Sequence, residues 1–198
     1  MLVLWSLAGL PLGVYNVTSS FNVALQIQPQ ILMFLSLITW SQCKYYSDGW
    51  LIPRIIIVLT GLGTLLGGVE AGLIFGLRKA REKGTEWPLM FMAILSAILL
   101  SAGVLRHYWD IYKTRSVRGL SLTFVGIDAL GDLTSLLSLL FEPTLDILGM
   151  VIYGSELILW IGIMICVVVF NLVLRKRDPV EGLGMSTEAV QEEGGAKD

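Results

Sequence analysis

The sequence predicts an all-α fold, a polytopic bundle of membrane helices, on three observations. Its 198 residues are 55% hydrophobic and only 15% charged, against about 25% charged in an ordinary soluble domain. Mean hydropathy is +0.73. The apolar residues gather into six runs, most of them near the roughly 20 residues that cross a hydrocarbon core about 30 Å thick.

The first run, Leu2–Val17, is short and holds Pro11. A cleaved signal peptide is the rival reading, but no basic residue precedes Trp5, so the charged leader region is missing. The second run, Phe21–Gln42, holds Pro29. The third, Ile55–Leu77, carries Gly61, Gly63, Gly67, Gly68 and Gly72, a small-residue face that predicts close helix packing, with a hinge as the alternative. The last three are Pro88–Trp109, Leu120–Phe141 and Asp146–Leu174. The connections "NVTSSFN" and "FEPTLD" are short, which predicts two antiparallel helical hairpins. Asn16-Val17-Thr18 is a formal glycosylation sequon that lies too close to the membrane to act as an acceptor. From Asp178 the tail is acidic and poor in apolar residues, the composition of a disordered segment.

Charge gives an orientation. Lys44, Arg54, Arg106, Lys113, Arg115, Arg118, Arg175, Lys176 and Arg177 fall on one side, and only Arg78, Lys79, Arg81 and Lys83 on the other. That excess places both termini in the cytosol, with the basic 78–83 loop as the exception. No basic domain with interleaved aromatics points to nucleic acid. Cys43 and Cys166 lie far apart in apolar surroundings and read as buried thiols. One histidine, with no metal spacing and no nucleophile–base set, argues against an enzyme, a metal site or a bound cofactor.

The two hairpins resemble each other weakly: a small-residue start, a short turn, then a long apolar helix. The second is preceded by a helix ending in "YWDIYKTRSVRGLS"; the first has no equivalent. Parallel repeats of three helices need a linking helix between them, because three is odd. The third run supplies that linker. The plan is therefore two three-helix units joined by one helix, with the first unit incomplete.

The segments "AGLPLGVYNV", "LQIQPQILMFLSLITWSQCKYY" and "YWDIYKTRSVRGLSLTFVGIDALGDL" resemble fungal members of the PQ-loop family of seven-helix membrane proteins. That broad group includes cystinosin and the vacuolar and lysosomal cationic amino acid transporters, and the resemblance covers about Leu2 to Arg177. It implies helices two and three of a first repeat over 1–45, a linker over 53–78, a second repeat over 87–177 and a tail over 178–198. The chain then opens at the second helix, which reads as a truncated start or as a six-helix form that pairs with another copy.

In the family the first helix of each unit ends in a Pro-Gln hinge. Here those positions hold Arg106 and His107. Pro29-Gln30 is a decoy, since it sits in the third helix of its unit. Without the proline a backbone donor is restored and the helix is stiffer. The pair reads as interfacial, with Arg106 reaching the headgroups beside Tyr108 and Trp109, as placing a proton-responsive His107 toward a cavity, or as simple degeneration of the site.

Four acids fall inside apolar runs: Glu70, Asp128, Asp132 and Glu156. Each costs about 2.5–3.5 kcal/mol to place there on insertion scales. Asp128 and Asp132 are four residues apart and share a helix face. They are the leading candidates to bind a proton or a cationic group, against the alternative of structural polar contacts. Asn16, Pro11 and Pro29 join them as cavity features by family analogy, or are plain caps and kinks. The resemblance implies transport of a small polar solute such as an amino acid, with proton coupling, across a vacuolar, lysosomal or other endomembrane. The competing readings are a non-transporting receptor or scaffold and a degenerate family member.

Overall fold

A computed structural model describes residues 2–114, 122–142 and 145–177. Among them the chain forms six α-helices and no strand. They are α1 (Leu2–Thr18), α2 (Val23–Asp48), α3 (Ile52–Glu82), α4 (Trp87–Thr114), α5 (Leu122–Leu140) and α6 (Ile147–Arg177). Helices α2 to α6 each contain a stretch long and apolar enough to cross a membrane, and α1 is a shorter apolar helix. The tail expected to be disordered, and the basic residues Arg115 and Arg118, lie outside the described residues.

Local chemistry sets the helix ends. Asn22 caps α2 by accepting from the Leu25 amide at 3.1 Å. Gly49, at φ 64°, ends that helix in the left-handed conformation, which glycine adopts without penalty. Pro53 opens α3 in the first turn, where no amide partner is lost. The Asp146 carboxylate accepts from the Gly149 amide at 2.7 Å and caps α6. Helix α4 runs further than the sequence predicts. It passes through Arg106, His107 and the aromatic pair to Thr114, because no proline or glycine occurs between Gly103 and Gly119 to stop it.

The hydrophobic core forms around α1. This helix packs on α2, α3 and α4, while α4 also packs on α6 and α6 on α5. Small residues allow the contact: a Cβ on Gly9 would meet the Pro29 carbonyl oxygen at 3.0 Å. The two hairpins α1–α2 and α5–α6 are thus joined through α4, while α2 and α5 face each other across a groove lined by Ala24, Gln28, Thr134 and Ser135.

Two expectations about α3 need revision. Its glycine face does not pack: a Cβ at Gly61, Gly63, Gly67, Gly68 or Gly72 would meet nothing within 4 Å. Leu65, Val69 and Phe75 are likewise exposed, so this helix presents its surface outward, to lipid. The basic residues at its end also have a local role. Arg81 donates to the Thr18 carbonyl at 2.7 Å and Arg78 approaches that of Val17 at 3.5 Å. These carbonyls end α1 and have no partner inside the helix. That accounts for basic residues on the side where the charge count predicts few.

Candidate functional site

A cavity of about 190 Å³ lies between the two hairpins. Helix α1 contributes Trp5 and Leu12, α2 contributes Gln28 and Leu32, and α4 contributes Leu100. Its polar character comes from the other hairpin: Asp128 and Asp132 on α5, Tyr153 and Glu156 on α6. Spacings of four and three residues put each pair on one helix face. Among the described residues, no lysine, arginine or histidine lines the cavity.

The acids are poorly compensated. Asp132 and Glu156 are each 7% exposed, and Asp132 Oδ2 and Glu156 Oε1 have no hydrogen-bond partner. Buried polar atoms are nearly always paired, so two orphan carboxyl oxygens in one cavity call for a proton or a ligand. Asp128 is half-buried on the same wall. Among the described residues, no three of His, Cys, Asp or Glu come together in a set that would hold a metal ion.

Hydrogen bonds frame the wall. Asn16 is fully buried, and its amide donates to the Leu25 carbonyl at 2.7 Å and to the Tyr153 hydroxyl at 2.9 Å. The sequon asparagine is therefore enclosed. The Ser135 hydroxyl donates to Gln28 Oε1 at 2.8 Å, linking α5 to α2. Neither Gln28 nor Tyr153 was singled out by sequence reasoning. The available signal was an amide in an apolar helix, and a tyrosine three residues before a membrane acid.

The remaining sequence candidates lie elsewhere. Glu70 is buried on α3, where it accepts from Gln30 of α2 beside Gly13 of α1, and it does not line the cavity. Pro29 is fully buried against Gly9. Pro11 is buried inside α1, which continues through it. Arg106 is exposed and pairs with Asp110 at 3.4 Å, as an interfacial arginine would. His107 does not line the cavity. It meets the rings of Trp5 and Trp160 at 6.1 and 5.9 Å, within an aromatic cluster that Phe124 completes. Trp5 joins that cluster to the cavity.

Helices long enough to span a bilayer, packed around a cavity with membrane-buried acids, define a polytopic α-helical membrane protein. Residues 108–148 of this polytopic membrane protein match the PQ loop repeat, a match that begins with the "YWDIYKTRSVRGLS" stretch. It is 35% identical over 173 residues to an uncharacterized protein of Schizosaccharomyces pombe, covering 87% of this chain and 61% of that one. It is also 33% identical over 156 residues to an uncharacterized membrane protein of Saccharomyces cerevisiae, covering 78% of this chain and 50% of the relative. The chain thus spans between half and about three-fifths of the length of these curated relatives. No solved structure matches it.

Proposed function

We propose that the protein moves a small polar solute, such as an amino acid, across an endomembrane, with a proton or a cationic solute group held by the cavity acids. The observation that carries this reading is the pair of orphan oxygens on Asp132 and Glu156, in a cavity that Asp128 also lines and that, among the described residues, no basic side chain lines. Unpaired acids inside a membrane are costly and mark ion or substrate paths. Asp128 is the more accessible member, suited to exchange a proton. A vacuolar or lysosomal membrane, with both termini in the cytosol, belongs to this reading through the family resemblance and the distribution of basic residues.

The test is uptake of a panel of amino acids into proteoliposomes under an imposed pH gradient. Asp128→Asn is expected to abolish the pH-dependent component. Unchanged pH dependence would remove Asp128 from the mechanism.

One observation favours a second reading, that of a non-transporting receptor or scaffold. Helix α4 is unbroken through Arg106 and His107, so the position of the family's hinge has no proline to bend it. Absence of uptake for every solute in the panel, by a folded protein, would support that reading.

A further inference from the structure

Helices α2 and α3 are joined by residues 49–51, and a groove of about 370 Å³ opens between them at that end. Ile38, Ser41 and Tyr45 of α2 line one wall, and Ile52, Ile55 and Leu59 of α3 line the other. Ile38 to Tyr45 and Ile52 to Leu59 each cover about 10 Å of helix axis, at about 1.5 Å per residue. Ser41 directs its hydroxyl to the Leu37 carbonyl at 2.8 Å, so the depth of the groove is apolar. Among the described residues only α2 and α3 line it, and it shares no residue with the central cavity.

The mouth of the groove carries cations. Lys44 directly precedes the wall residue Tyr45, and Arg54 directly precedes Ile55. Both sit against Trp50 in the connection: the Lys44 ammonium lies 5.6 Å and the Arg54 guanidinium 4.1 Å from its ring centroid. Trp40 meets Trp50 edge to face at 6.1 Å and fixes that indole to α2. Asp48 pairs with Lys44 at 2.5 Å. Arg54 has no acidic partner among the described residues. A guanidinium held by its face on an indole keeps its N–H donors free at the edge, and that fork matches a phosphate.

We propose that this groove binds one anionic phospholipid, with an acyl chain between α2 and α3 and the phosphate on Arg54 and Lys44. The site has the polarity of that ligand. It is apolar at depth, aromatic at the interface where tryptophan and tyrosine settle, and cationic at the connection. A soluble anion would meet the charge and leave the groove empty. A zwitterionic lipid would bring its own cation beside Arg54 and Lys44. The distribution of basic residues predicts that this end faces the cytosol, the side on which anionic lipids gather and basic pockets between membrane helices hold their headgroups. Nothing in the site depends on what the central cavity carries.

The test is the anisotropy of dye-labelled phosphatidylserine titrated with the purified full chain in detergent micelles, with phosphatidylcholine of the same chains as the comparison. Phosphatidylserine is expected to bind at least about fivefold tighter. Arg54→Gln should weaken its binding about fivefold, the contribution of one basic residue near an anionic surface, and leave phosphatidylcholine unchanged, which also shows that the variant is folded. Lys113→Gln removes an equal charge from the same side of the membrane and should change neither lipid. Ile55→Trp fills the groove without touching a charge and should weaken phosphatidylserine as well. Equal binding of the two lipids by the parent would overturn the site. An equal loss with Lys113→Gln would reduce the effect to bulk charge, and full binding by Ile55→Trp would leave the chain outside the groove; either result overturns it. Displacement of the lipid by inorganic phosphate, at an ionic strength matched with chloride, would make a soluble anion the ligand and overturn it too. Light scattering on the same samples covers the remaining occupant. A dimer that Ile55→Trp breaks would mean that a second copy fills the groove, and the lipid site would be wrong.

Discussion

Asn16 of α1 donates its side-chain amide to the Tyr153 hydroxyl of α6 at 2.9 Å, and both side chains are buried. The bond joins the two hairpins at the edge of the cavity. Tyr153→Phe deletes it and leaves Asn16 bonded to the Leu25 carbonyl. The expected loss is about 0.6 kcal/mol and at most about 1.7, the range measured for hydrogen bonds between membrane helices. Asn16→Ala removes both bonds and leaves a void, so it should cost more. Thermal unfolding in detergent orders the two. Equal losses would mean that the bond to Leu25 contributes nothing.

Glycines on α1 and α3 behave in opposite ways. A Cβ at Gly13 would lie 2.8 Å from Gln30 Nε2 and 3.2 Å from Glu70 Cδ, so both buried side chains would have to shift to admit it. Gly13→Ala should therefore destabilise by about 1–3 kcal/mol, as overpacking does, and disturb the Gln30–Glu70 bond. Gly68→Ala adds the same methyl where nothing lies within 4 Å. It should be neutral, or stabilise by up to about 1 kcal/mol through helix propensity. Unfolding midpoints of the two variants decide the matter, and a destabilising Gly68→Ala would indicate an interface on α3.

The helices were legible because the bilayer imposes run length, and run length can be read along the chain. Their partners were not. The glycines of α3 resemble a packing face, but packing depends on which helix arrives, and α1 took that place with Gly9 and Gly13. The acids were legible as costly residues. That Asp128, Asp132 and Glu156 share a cavity while Glu70 meets Gln30 depends on the relative rotation of four helices, which periodicity within one helix does not specify. Gln28 and Tyr153 were missed for the same reason. Each looks ordinary until its partner, Ser135 or Asn16, is placed beside it.

Two arginines separate a structural cation from a solvated one. Arg81 donates to the Thr18 carbonyl at 2.7 Å, and Thr18 is 3% exposed. Arg106 forms an ion pair with Asp110 in which both side chains are more than half exposed. Arg81→Gln should lower stability by roughly 1 kcal/mol, since hydrogen bonds to charged groups exceed neutral ones. Arg106→Gln should change it by well under about 1 kcal/mol, as exposed pairs do. Denaturation of both variants alongside the parent tests the contrast. A large loss at Arg106 would show that its pair with Asp110 is stronger than its exposure implies.

Asp132 and Glu156 face the same small cavity, each with one oxygen unpartnered. Two unpaired acids without a neighbouring cation oppose each other, so neutralising one relieves part of what the other feels. Asp132→Asn and Glu156→Gln should each raise the unfolding midpoint at neutral pH. The double variant should gain less than the sum of the two, with a coupling of about 0.5–3 kcal/mol, as found for residues that share an environment. A double-mutant cycle on the purified protein measures it directly. Strict additivity would mean that the two carboxyls do not sense each other, and the cavity would then contain two separate polar contacts instead of one site.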